Sequence, residues 1–300
     1  MAKRGYSLPR QQNRLAYAFL ATTLLFYATF LIYPLGLSIF VSMRSWNLLT
    51  PLSRTRFVGL DNFKYIFTRD EIFQLAMKNS VIYALATVFL SVAISLMLAL
   101  ALQRARYAAV WRVVFFLPVV TSSVAIAQVW VDFYHPTYGF ANQVLRFLGL
   151  PGQKWISSPD QALGSVIAVA VWSSLGFTLI ILSAGLKNIP QVYYDAARID
   201  GAGTWQEFWH ITLPLLRPTL LFVTVTGMIG AWQAFDLPLV MTAGGPVNRT
   251  MTVLLRAYET AFTDLRMGRA TAMAFVLFGI ILVITLIQLR IFRRGGVESY

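Results

Sequence analysis

Residues 80–102 read SVIYALATVFLSVAISLMLALAL, twenty-three positions without one charge. As an α-helix rising 1.5 Å per residue, such a run crosses a hydrocarbon core of about 30 Å, for which about 20 residues suffice. Lipid offers no partner to a backbone N–H or C=O, so a spanning segment must be a helix or part of a closed barrel. The alternating ten-residue pattern of a membrane barrel is absent. Five further blocks reach or approach the same length: residues 15–40, 113–131, 163–186, 218–240 and 271–289. The expected fold is all-α: a polytopic membrane protein of about six transmembrane helices, with residues 1–300 forming one domain.

Composition agrees. With 57% hydrophobic and 12% charged residues, the chain has too little charge to cover the surface of a soluble 300-residue domain. A net charge of +13 raises the question of nucleic acid. The basic residues, however, stand in short groups at block ends, as at Arg104, Arg106 and Arg112 or Arg290, Arg293 and Arg294. No basic stripe interleaved with aromatics accompanies them, so the partner they imply is membrane lipid and not nucleic acid. Without cysteine there is no disulfide, thiolate chemistry or zinc–thiolate site. His135 and His210 are too far apart in sequence to suggest a ligand pair, so no metal site is expected. Lys3, Arg4, Arg10 and Arg14 precede residues 15–40 as they would in a signal peptide. The apolar run exceeds a signal core of about 7–15 residues, and no small-x-small site follows, so it is expected to remain as the first span.

Basic residues also bear on orientation. With both termini cytoplasmic, thirteen Lys and Arg fall inside and twelve outside. The bias is one of density, since Arg104, Arg106 and Arg112 crowd one short internal connection. This topology makes about 41–79, 133–162 and 241–270 external and about 187–218 the main internal loop. In the first external segment Phe63, Ile66, Phe67, Phe73 and Ala76 fall near helical spacing, which predicts one amphipathic helix on the outer surface or capping the bundle. The second is rich in Pro and Gly, and the third contains the turn Gly244-Gly245-Pro246. Trp130 and Tyr134 read as interface anchors. The block 113–131 is the most polar, with Pro118, Thr121, Ser122, Ser123 and Gln128, as suits a helix lining a polar path.

The internal loop reads KNIPQVYYDAARIDGAGTWQEFWHITLPLLRP over residues 187–218. Pro190 suits the first turn of a helix, where its missing N–H goes unused. A short helix over 193–199 is expected to end at Gly201-Ala202-Gly203, where positive φ is tolerated. Thr204 is placed to cap a second helix running through Trp205, Phe208 and His210 and stopping at Leu213-Pro214. The product is a helix–turn–helix knob with small residues (Ala196, Ala197, Gly201, Ala202) on one face. It reads either as a knob inserted into a partner or as a loop anchored in headgroups by Trp205, Phe208 and Trp209.

The spacing within this loop resembles the EAA signature of permease subunits of bacterial ATP-binding-cassette importers. Asp195-Ala196-Ala197 is followed after three residues by Gly201 and after nine more by Ile211-Thr212-Leu213-Pro214. The family's usual Glu is Asp195 here, which keeps the charge and shortens its reach. FVGLDNF (57–63), MTAGGP (241–246) and MGRATAMAF (267–275) are similar to the carbohydrate-uptake branch, near the first permease of maltose-type and glycerol-phosphate-type systems. The resemblance implies the fold of a binding-protein-dependent importer permease in a bacterial inner membrane. It implies four kinds of partner: a second homologous permease, two copies of a cytoplasmic ATPase, an extracellular or periplasmic sugar-binding protein, and lipid. It assigns coupling to the ATPase to Tyr194, Asp195, Ala196, Ala197, Asp200, Gly201, Ala202, Ile211, Leu213 and Pro214. The chain itself has no G-x-x-x-x-G-K-[ST] loop, so ATP and Mg²⁺ would be held by the ATPase and no cofactor or catalytic residue by this chain.

A path through the membrane should present polar or aromatic groups to the bundle interior, because they are costly against lipid. The residues themselves suggest Ser122, Ser123 and Gln128, then Trp172, Ser173, Ser174 and Phe177, then Trp232, Gln233 and Asp236. A carboxylate such as Asp236 costs about 2.5–3.5 kcal/mol at a helix centre. The resemblance adds Val119, Gly227, Ala231 and Ala234, three of them small where maltose-type chains carry polar groups. Aromatic faces with amides and hydroxyls suit a di- or oligosaccharide. Arg249, Arg256, Arg266 and Arg269 keep glycerol phosphate, a phosphodiester or a polyol open as cargo. For each candidate, ordinary helix packing is the competing reading. An ion-coupled carrier or channel would need intramembrane ionisable groups beyond Asp236, and an enzyme a nucleophile–base pair that is not evident.

Overall fold

The computed structural model describes residues 10–103 and 105–293. Lys3, Arg4, Arg104, Arg294 and both termini lie outside them. Among the described residues the regular structure is helical, with one isolated antiparallel bridge between Arg44 and Phe57.

Helix α1 (Arg10–Tyr27) passes through a π-helical turn, Ala28–Ile32, into α2 (Tyr33–Ser42). Pro34 lies just beyond the turn. Its missing N–H and its ring do not fit a regular i→i−4 ladder, and the widened turn absorbs both. This first span packs little on the rest: only 6% of its apolar window is buried.

The single amphipathic helix expected between the first two spans is two elements, α3 (Asp61–Thr68) and the start of α4 (Glu71–Leu102). Asp70 separates them, its carboxylate accepting the Phe73 N–H at 2.9 Å as a cap. Phe73 and Ala76 therefore belong to the second span, which begins nine residues before the expected Ser80, and Ile66 and Phe73 are fully buried.

The expected third span, 113–131, is not one helix. Helix α5 (Ala108–Val120) and α6 (Ser123–Phe133) meet at 99°. Pro118 removes one ladder bond, and Thr121 and Ser122 then turn extended at ψ 142° and 131°. Hydroxyl residues offer the backbone local alternatives to the helix, as in the 2.9 Å bond from Thr121 Oγ1 to the Leu117 carbonyl.

The short α7 (Phe140–Phe147) leads to α8 (Ala162–Lys187), the most buried of the four single spans. The 187–218 loop forms α9 (Gln191–Ile199), α10 (Thr204–Glu207), a π turn at Phe208–Thr212 and α11 (Leu213–Leu215). A 65° bend then opens α12 (Arg217–Trp232). The fifth span also breaks, at residues 233–235, before α13 (Asp236–Thr242). Helix α14 (Val253–Phe262), not foreseen from sequence, precedes α15 (Met267–Arg293). Four helices are long and apolar enough to cross a membrane singly, and two bent pairs raise the number to six.

α8 packs along α4 at the centre. Every fourth residue of α4 from Asn79 through Tyr83, Thr87 and Ser91 to Ser95 is polar and buried. Ser91 and Ser174 share a 2.7 Å hydrogen bond, and Ser95 donates to the Leu175 carbonyl at 3.2 Å. Lipid tails are as apolar as leucine, so helix association here rests on close packing and such bonds. At Gly176 the α5 backbone lies so near that an added Cβ would stand 2.7 Å from Phe116 Cα.

Candidate functional site

The knob of the 187–218 loop differs in detail from its expected form. Pro190 is the cap before α9 and not part of its first turn, with ψ at 132°. Asp200 closes the helix and Gly201 follows at φ +81°. The Ala202 N–H reaches the Ala197 carbonyl at 2.9 Å and the Gly201 N–H reaches that of Arg198 at 3.1 Å. This paired closure requires the left-handed residue that glycine supplies at least cost. Thr204 is already helical. The Gln206 side chain caps instead, accepting the Gly203 N–H at 2.8 Å. Nor does the helix stop at Leu213-Pro214. Pro214 is carried through by the preceding π turn, as Pro34 is, and the bend comes at Leu216.

Two contacts brace α9 against the second arm. Arg198 Nε donates to Glu207 Oε1 at 2.8 Å, and Glu207 is buried. The hydrogen bond and charge of Glu207 raise the Arg198 guanidinium above its ordinary range. The hydroxyls of Tyr194 and Thr212 lie 2.9 Å apart. Tyr194 and Ile211 pack inward on the cluster built around Leu182 and Leu216, and Leu213, Pro214 and Ala202 are half-buried. Asp195, Ala196, Asp200 and Gly201 are exposed, as are Val192, Tyr193 and Ile199. Asp195 accepts from Gln191 Nε2 at 3.3 Å and lies 3.8 Å from Arg198. The loop thus offers a stiff, exposed ridge on a base rooted in the bundle.

The residues expected along a path divide into four groups. Ser174, Gly227 and Ala231 line a cavity of about 240 Å³ between α4, α8 and α12. Ser123 and Asp236 form a separate pair, hydroxyl to carboxylate at 2.6 Å. Trp172 and Phe177 are exposed on α8 outside that cavity, with Trp172 edge-on to Trp130 at 5.5 Å. Gln128 and Gln233 are also exposed. Trp232, at 5% exposed, lies in the main apolar core. Tyr134 is no interface anchor: it is buried and stacked on Trp155 at 5.1 Å. Trp130 packs inward beside it at 5.2 Å.

Reading α4 as a purely apolar run misses the cavity's other wall, Tyr83, Thr87 and Ser91. A signal was present, since a four-residue recurrence places these side chains on one helix face.

Comparison with known proteins bears on this arrangement. Residues 91–295 match the family model described as binding-protein-dependent transport system inner membrane component. The probable ABC transporter permease protein YesP of Bacillus subtilis is 37% identical over 93% of this chain and 90% of its own length. The sulfoquinovosyl glycerol transport system permease protein SmoG of Agrobacterium fabrum is 32% identical over 93% of this chain and 90% of its own. In fold, a chain from a crystal structure of a bacterial alginate ABC transporter, in complex with an alginate pentasaccharide-bound periplasmic protein, superposes with a TM-score of 0.83. It covers 97% of this chain and 98% of that one at 23% identity. With its broken spans and its braced knob, the chain belongs to the family of binding-protein-dependent transport system inner membrane components, multi-pass membrane proteins that serve transport and are not enzymes.

Proposed function

We propose that this chain is the permease subunit of an ATP-driven sugar importer, forming half of the translocation path and coupled to a cytoplasmic ATPase through the 187–218 loop. The observation that carries the reading is the knob. Its ridge is exposed and small at Ala196 and Gly201, yet its base is fixed by Arg198–Glu207 and Tyr194–Thr212. A rigid lever of this kind transmits movement of a docked partner to α8 and α12, the spans it joins. Cargo class is supported by the hydroxyl-lined cavity and by the naming of relatives such as SmoG for a sugar derivative. The partners are then a second homologous permease, two ATPase copies holding ATP and Mg²⁺, and an external sugar-binding protein. Both termini face the cytoplasm, and residues 1–300 act as one permease domain.

The test is a mild-detergent pull-down of the tagged chain from its native host, with co-purifying proteins identified by mass and ATPase activity assayed. A nucleotide-binding subunit and a second permease are expected. A chain that purifies alone without ATPase activity overturns the reading.

A further inference from the structure

The surface of helix α7 divides into three sectors. Ala141 and Asn142 are buried against the bundle. Phe140, Val144, Phe147 and Leu148, spaced i, i+4, i+7 and i+8, share one face, and all four are exposed, Phe147 at 90% and Leu148 at 62%. Gln143 and Arg146 form the third sector, exposed and polar.

Loose packing does not explain the open apolar face. The Asn142 side chain, 1% exposed, holds α7 from behind. Its Nδ2 donates to the Pro136 and Gln153 carbonyls at 2.8 Å each, and its Oδ1 accepts from the Gln153 N–H and from Trp155 Nε1 at 2.9 Å each. Every bonding position of the amide is thereby used. Rolling α7 to bury its phenylalanines would break these bonds in a buried site, where an orphaned polar group is costly. Phe147 and Leu148 are therefore held outward.

The same network sets the depth of α7. Trp155 donates its N–H to Gln161 Oε1 at 2.8 Å, and Gln161 is the cap before α8. At 1.5 Å per residue the 26 residues of α8 reach about 39 Å, enough to cross a hydrocarbon core of about 30 Å and end among the headgroups on both sides. This ties α7 to the level where a span leaves the hydrocarbon, at the end of the bundle away from the 187–218 knob.

Continuity and charge name the occupant of the open face. The Phe140 ring packs on Phe133 of α6 at 5.5 Å, and Val129, one turn earlier on α6, is exposed, so the apolar face of α7 extends an apolar wall of the third span. From Pro136 to Pro159 the chain carries Arg146 and Lys154, both exposed, and no acidic residue, which suits anionic phosphate headgroups. An apolar side beside a basic polar side is the arrangement of a helix lying in the plane of the membrane interface.

We infer that α7 is such an interfacial helix, inserting Phe147 and Leu148 among the acyl chains of one leaflet and holding this end of the bundle at a fixed depth. This placement depends on the chain's being a membrane protein and is independent of its cargo and of any ATPase. The test uses the absence of cysteine from the chain. Phe147→Cys, Leu148→Cys and Arg146→Cys are each purified from the native host with whatever co-purifies, spin-labelled, and reconstituted into vesicles of phosphatidylethanolamine and phosphatidylglycerol. The cysteine-free wild type gives the background from labelled partners. Labels at 147 and 148 are expected to be open to oxygen and closed to a water-soluble nickel chelate, at a depth of about 5–10 Å into the headgroup–acyl boundary. The label at 146 is expected to be reached by the chelate. Either apolar position decides the matter if the other variant fails to assemble. Nickel access at 147 and 148 equal to that at 146 places α7 in water and overturns the inference. Exclusion of both oxygen and nickel there places the face under protein, such as a second permease or a binding protein, and overturns it equally.

Discussion

Ser123 donates a 2.6 Å hydrogen bond to Oδ2 of Asp236, and these are the first residues of two helices that each follow a break in a span. The third and fifth spans are therefore joined where both are interrupted. Non-helical backbone at membrane depth is tolerated where it is buried in protein or lines a cavity, and broken helices are a recurring feature of transport sites. A hydrogen bond to a charged group contributes about 1.5–3 kcal/mol, reduced here by exposure. Ser123→Ala should lower the thermal midpoint of the purified protein, and Ser123→Thr should restore it. Equal midpoints for wild type and Ser123→Ala would show that the bond contributes nothing.

Arg256 and Asp70 form the most buried ion pair among those described, with side chains 14% and 5% exposed. The pair ties α14 to the cap of α4. Removing one partner of a buried pair costs about 3–5 kcal/mol, because the other charge is left uncompensated. Arg256→Met is expected to approach that loss. The double variant Arg256→Met/Asp70→Asn should recover part of it, since Asn still caps α4. Thermal inactivation of wild type, both single variants and the double variant measures the coupling, and effects that simply add would mean the two sites are energetically independent.

Gly201 stands at φ +81° with nothing within 4 Å of where a Cβ would lie. Substitution there strains the backbone, by about 1–2 kcal/mol for an L-residue in the left-handed region, without a steric clash. Gly201→Asp should therefore insert normally but recover less ATPase in the pull-down and lose ATP-driven uptake. Full uptake by this variant would sink the coupling role of the turn.

Glu259 on α14 has a pKa above its ordinary value, chiefly because burial disfavours its charged form. Arg256 opposes the shift and Asp264 adds to it. A carboxyl group whose folded pKa is raised stabilises the fold below its unfolded pKa, and loses that contribution as pH rises through the folded value. Glu259→Gln should consequently raise the thermal midpoint at neutral pH, with the advantage disappearing as pH falls below the ordinary value of 4.5. A difference that stays constant with pH would assign the effect to packing.

The number of spans and the knob were legible in the sequence because their causes are local. Twenty-odd uncharged residues cross a bilayer whatever their neighbours are, and Gly201 permits a left-handed turn by its own lack of a Cβ. Boundaries were legible less well. Phe73 and Ala76 keep helical spacing with Phe63, and only the cap at Asp70 shows that they belong to α4. Pro34 and Pro214 both look like helix stops, yet a π turn before each carries the chain through.

Sequence by itself determined that this is a helical membrane protein with a helix–turn–helix knob within 187–218, since transfer to lipid and backbone torsions depend on the residues concerned. Tertiary structure alone decided that Ser91 meets Ser174, that Ser123 meets Asp236, and that Arg256 closes on Asp70 across 186 residues of chain. Such pairs depend on the rotation and crossing of whole helices, which the packing of every other residue sets, and no local pattern encodes that angle.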